Sequence, residues 1–153
     1  MNGWISNLTL LATLGTGLVA GIFFAFSNFV MRGLERLPAG QGVAAMRSIN
    51  VTVLNPLFLA LFVGTCLLCL GLAFHAGFRG SQTGARFLLA GGLLYVIGTF
   101  AVTVTFNVPL NDVLATDAST WERYLSQWTV WNHVRTAAAL LACASFTLAN
   151  RSV

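Results

Sequence analysis

The chain has 153 residues, of which 57% are hydrophobic and only 8% charged. Soluble domains carry roughly a quarter charged residues, so this composition excludes an ordinary water-soluble fold and points to an integral membrane protein. The basic residues are all arginines, and they are scattered singly; the formal charge of +4 therefore builds no stripe for nucleic acid, and no nucleic-acid partner is expected.

Taken in chain order, residues 1–153 read as one all-α domain of four membrane spans. A helix needs about 20 apolar residues to cross the bilayer core. The uncharged run to Met31 is longer than the core of a cleavable signal, so Leu8 to Val30 is read as a retained first span. Leu34 to Arg47 reads as a short interfacial helix, and Leu54 to Ala76 as the second span. After a short connection from Gly77 to Arg86 comes the third span, Phe87 to Phe106. Asp117 to Gln127 reads as another interfacial helix, and Trp131 to Ala149 as the fourth span, with Arg135 inside its first turns. The expected fold is an up-down-up-down four-helix bundle. Arg32, Arg36, Arg47 and Arg123 fall on one side and Arg79, Arg86 and Arg151 on the other, too even a split to orient it.

This topology gathers the polar residues. Ser27 and Asn28 end the first span, Asn55 opens the second, and Asn107 and Asn111 end the third. Asn132, His133 and Arg135 open the fourth. The end of an odd span and the start of an even one share a membrane face, so all of these meet at one end. Asn55-Pro56 also fits a helix cap, Asn107-Val-Pro-Leu-Asn111 a helix end, and Trp121, Trp128 and Trp131 an aromatic belt. An arginine within a span costs about 2.5–3.5 kcal/mol on insertion scales and is expected to face an interior with partners. Trp128, Trp131, Asn132 and Arg135 share one face of the fourth helix, whereas His133 points away from it. The residues leave open whether His133 and Arg135 both line one pocket.

The chemistry is limited by the same inventory. His75 and His133 fall at opposite ends, so no metal site is expected. Cys66 and Cys69 have redox-pair spacing but lie late in an apolar helix, where burial keeps thiols inert. What remains is a histidine base with arginine and asparagine donors for an oxygen on which charge develops. That set suits proton abstraction beside a carbonyl in an apolar substrate; it suits equally the non-catalytic binding of a lipid or quinone-like ligand.

Phe23-Phe-Ala-Phe-Ser27 to Met31, Asn55-Pro-Leu-Phe58, Asn107-Val-Pro-Leu-Asn111 and Trp128-xx-Trp131-Asn-His133-Val-Arg135-Thr136 resemble the anthrone oxygenase-like membrane proteins. The likeness covers nearly the whole chain, and it breaks at Arg32, where the family pattern has proline. The resemblance implies a multi-pass protein of the cell membrane (the inner membrane, in a bacterium). It also implies a monooxygenase that turns anthrones into anthraquinones with molecular oxygen as co-substrate and no other cofactor. On that reading His133 and Arg135 are catalytic: His133 removes the ring proton, and Arg135 with Asn107 or Asn111 holds the enolate. Asn55, Ser27, Trp128, Trp131 and Asn132 complete the substrate site, with no metal. The expected partners are the bilayer and a small apolar aromatic or lipid-like ligand, with room for a homo-oligomer.

Overall fold

The computed structural model describes residues 3–78 and 83–152. Among these the ordered elements are helical: α1 (Gly3–Glu35), α2 (Ala39–Thr52), α3 (Pro56–Gly77), α4 (Thr83–Thr116) and α5 (Trp121–Arg151). Three of them, α1, α3 and α4, are long and apolar enough to cross a membrane. α5 has 31 residues, but its first half carries Glu122, Arg123, Asn132, His133 and Arg135, which sets it apart from the other three.

The long helices neighbour one another in the order α1, α5, α4, α3, with α3 returning to α1. Every adjacent pair runs antiparallel. Ser6 Oγ donates to Asn150 Oδ1 at one end of α1–α5, and Asn132 Nδ2 donates to Ser27 Oγ at the other. Gly92 of α4 meets Ala73 of α3, while Tyr95 reaches the Phe62 carbonyl.

The side chains are distributed inside out relative to a soluble protein. On α1 the buried positions include Ala12, Gly15, Thr16 and Ala20, whereas Leu10, Leu11, Leu14, Leu18 and Phe24 face outward. Large exposed apolar surface on this scale needs a non-aqueous neighbour, and small inward residues let helices approach closely where burial supplies no drive for association. Bulkier side chains, Phe62, Leu72, Tyr95 and Phe146, fill what remains of the core. A second apolar cluster closes one end: Val43 and Met46 of α2 pack with Met31, Leu34, Leu114, Trp121, Tyr124 and Trp128.

The elements depart from the sequence reading at their ends. The interfacial helix expected at Leu34 to Arg47 starts later, at Ala39, because α1 continues to Glu35 and Pro38 then precedes the first turn of α2. The separate helix expected at Asp117 to Gln127 does not exist. A single turn at Ala118–Thr120 leads directly into α5, which contains no glycine or proline to break it. Asp117 caps that turn; the Ser119 hydroxyl and amide donate to its carboxylate, which holds its pKa below the usual value. Pro109 does not end α4 either. The wide π-type turn Thr103–Asn107 just before it changes the hydrogen-bond register, so the ring is accommodated and the helix runs on to Thr116. Arg79, counted above with the connection after Gly77, lies outside the described residues.

Close packing at Gly92 can be tested against an open glycine on the neighbouring helix. A Cβ on Gly92 would stand 2.6 Å from Ala73 Cβ and 2.7 Å from the Cys69 carbonyl oxygen, whereas one on Gly71 meets nothing within 4 Å. Gly92→Ala is expected to destabilise by about 1–3 kcal/mol through overpacking. Gly71→Ala is expected to leave stability unchanged or raise it by up to about 1 kcal/mol. Thermal unfolding of both variants in one detergent checks the opposite signs.

Candidate functional site

The polar residues at the α2 end sit where the helices depart from regular α geometry. α1 has a wide π-type turn at Phe26–Val30, and α4 has two, at Leu94–Ala101 and Thr103–Asn107. Such turns recur at functional sites because they re-aim side chains and free carbonyls from the regular ladder. Here they present the carbonyl of Phe23, and the side chains of Ser27, Thr99, Thr103 and Asn107, to α5.

Asn132 is the hub. It is fully buried; its amide nitrogen donates to the Phe23 carbonyl and to Ser27 Oγ, both at 2.7 Å. Its oxygen accepts from Arg135 Nη2 at 2.6 Å. Thr136 donates to the Asn132 carbonyl at 2.8 Å, so the 3.2 Å contact between the two hydroxyls is a bond from Ser27 to Thr136. Arg135 is only 4% exposed. Its Nη1 donates to Thr103 Oγ1 at 3.2 Å, and its guanidinium carbon lies 4.2 Å from the centroid of the Phe23 ring and 4.9 Å from that of Trp128. The cation is thus held by hydroxyl, amide and aromatic faces. The four acidic side chains of the chain, Glu35, Asp112, Asp117 and Glu122, are exposed.

A second set lies toward α2. Asn111 Oδ1 accepts from the Tyr124 hydroxyl and from Trp128 Nε1, both at 2.9 Å. Asn107 Nδ2 donates to the Trp128 carbonyl at 3.2 Å. Among the described residues, Asn107 Oδ1 and Arg135 Nε are buried polar atoms with no hydrogen-bond partner.

The remaining expected site residues fall elsewhere. Asn55 is exposed and caps α3, its oxygen accepting from the Phe58 amide at 3.0 Å; this is the local role that Asn-Pro spacing allows. Trp131 is half-buried and stacks face to face on Phe106, centroids 3.6 Å apart. His133 is exposed and does not meet Arg135. Two residues along a helix turn through about 200°, so Arg135 enters the packed interior while His133 enters a groove between the end of α1 and the start of α5.

That groove has a volume of about 610 Å³, within the range of small-molecule sites. Along the antiparallel walls Ser27 and His133 line the end beside Asn132, and Glu35 and Glu122 the opposite end, with Met31 and Arg32 between them on α1 and Val130, Thr129, Ser126 and Leu125 between them on α5. Among the described residues no three of His, Cys, Asp and Glu gather closely enough to bind a metal ion. Sequence reasoning missed Thr103, Tyr124, Thr136 and Phe23 as parts of the cluster. Two of them had a signal, since Thr103 and Tyr124 each lie one turn before a singled-out residue, Asn107 and Trp128.

Long apolar helices enclosing a buried polar cluster beside a histidine-bearing groove define a membrane protein. A family model described as anthrone oxygenase matches residues 52–145, more than half of the chain. The chain belongs to the anthrone oxygenase family. The matched segment carries Asn55, Asn107, Asn111 and the run from Trp128 to Thr136, while Ser27 and Arg32 precede it. No curated protein and no solved structure matches the chain.

The hub can be tested by removing one partner at a time. Asn132→Ala strands a buried guanidinium and is expected to cost about 1.5–3 kcal/mol. The double substitution Asn132→Ala with Arg135→Met is expected to be more stable than Asn132→Ala alone, because it removes the uncompensated charge. Chemical or thermal unfolding of the two variants in the same detergent reads the difference.

Proposed function

We propose that the protein is a multi-pass oxygenase of the cell membrane, with α1, α3, α4 and α5 all crossing the bilayer. On this reading it oxidises an apolar, enolisable aromatic ketone of the anthrone kind to a quinone. The observation that carries this reading is the groove, which joins an accessible imidazole to a volume large enough for a fused-ring substrate, with Met31, Leu125 and Val130 among its walls. A polar α5 is compatible with spanning because its buried face is satisfied by α1 and α4, while Val130, Val134, Leu140, Leu141 and Leu148 face outward.

In the reaction, His133 removes a proton from the ring carbon opposite the carbonyl, and the electron pair moves into the carbonyl to give an enolate. The enolate carbon bonds to dioxygen, and the imidazolium returns its proton to the distal peroxide oxygen. Loss of the second hydrogen on that carbon, again to His133, breaks the O–O bond and expels hydroxide, which leaves as water after taking that proton. The quinone carbonyl remains. Dioxygen is the only oxidant this sequence of steps requires. Arg135, Asn107, Asn111 and Asn132 act in this scheme as positioning residues, since their hydrogen bonds fix α1 and α4 against α5. They thereby set the width of the groove.

Oxygen uptake by the purified protein supplied with an anthrone tests the proposal. Wild type is expected to consume oxygen and form the quinone in equal amounts, and His133→Ala to be slower by about 10²–10⁴-fold. Equal rates for the two would remove His133 as the base. The charged groups of the groove also suit a polar-headed lipid; absence of oxygen uptake, together with such a lipid in extracts of the purified protein, would establish a binding function instead.

A further inference from the structure

The reaction above creates negative charge on a ketone oxygen, and Arg135 is placed where it cannot meet that oxygen from the groove. Its Nη1 and Nη2 are engaged by Thr103 and Asn132, its plane is covered by Phe23 and Trp128, and it does not line the groove. The groove has a different cation. Among the described residues Arg32 is the only arginine lining it, and it stands on α1 five residues beyond Ser27, which lines the end beside Asn132. Helical side chains lean toward the N-terminus of their own helix. On α1 that direction takes Arg32 inward, toward Ser27. On the antiparallel α5 it takes His133 the other way, toward the Glu122 end. The two therefore lean toward each other from opposite walls, with Met31, Leu125 and Val130 also lining the groove.

We propose that Arg32 is the second ligand-binding group of the groove, holding the oxygen of a planar aromatic ketone or phenolate while the acidic carbon of the same ligand faces His133. This inference rests on the groove being the substrate site, as proposed above. A fused tricyclic ketone places its acidic carbon and its carbonyl oxygen on opposite edges of the central ring, which matches a base on one wall and a cation on the other. The guanidinium is planar, permanently charged and able to offer two parallel N–H bonds. Glu35 and Glu122 also line the groove; Glu35 lies about one turn beyond Arg32, away from Ser27, so an anion is accommodated on the Ser27 side of Arg32. The ligand class is thus narrower than any apolar molecule: it carries an oxygen that becomes anionic.

The test compares two stable probes, anthraquinone-2-carboxylate and neutral 2-methylanthraquinone, by quenching of tryptophan fluorescence in the purified full-length protein; Trp121 forms part of the groove wall. Wild type is expected to bind the anion about tenfold more tightly than the neutral probe. Arg32→Gln is expected to abolish that preference while leaving the neutral probe's affinity unchanged, and Arg32→Lys to restore it. Retention of the preference in Arg32→Gln, no preference in wild type, or no saturable binding of either probe overturns the proposal. The binding result also separates the two readings. A wild type that shows the Arg32-dependent preference but consumes no oxygen refutes only the oxygenase, whereas oxygen uptake with a preference indifferent to Arg32 refutes only the role of Arg32.

Discussion

A guanidinium enclosed by apolar helices must be given partners before the rest of the structure can form around it. Asn132 solves this at a distance of one helical turn, offering its oxygen to Arg135 and both amide hydrogens to α1. A single side chain thus neutralises the desolvation problem within α5 and ties α5 to α1. Thr103 extends the tie to α4, and the rings of Phe23 and Trp128 close the two faces. Because no acidic side chain is used, the cluster keeps its positive charge, and its hydrogen bonds stay inside a dry layer where they are strong.

That layer lies between two apolar clusters, the small-residue core of the long helices and the cap formed with α2. The interior polar end is therefore packed, and open volume occurs beside it, between α1 and α5. One side of α5 holds the bundle together, and the other presents His133 to the groove. The family match covers α3, α4 and most of α5, while the α1 wall of the groove lies before the matched segment.

Much of this was legible in the sequence, because bilayer thickness and composition act on long stretches. The convergence of Ser27, Asn107, Asn111, Asn132 and Arg135 followed from alternating spans, and the helical phase already set His133 apart from Arg135. Asn55 was placed with the cluster by the same topology, yet its own backbone was the nearest partner, and local capping won over tertiary recruitment. The interfacial helix expected at Asp117 to Gln127 does not stand apart from α5, because the stretch after Thr120 has no glycine or proline to break it. The wide turns were invisible because they depend on the fit between neighbouring helices. With them went the role of the Phe23 carbonyl.

The wide turns also make the register of each helix a stored quantity. A π-type turn holds one residue more than a regular turn spanning the same rise, so it behaves as an insertion absorbed without a loop. Removing one residue from Thr103–Asn107 would return this stretch to regular geometry and leave the residues beyond it in phase. Removing one from the regular turn that follows, at Val108–Leu110, would instead rotate everything beyond it by about 100°, turning Asn111 away from Tyr124 and Trp128 and Leu114 out of the cap it fills. The wide turn is accordingly where α4 can change its length by one residue and keep its polar end aligned.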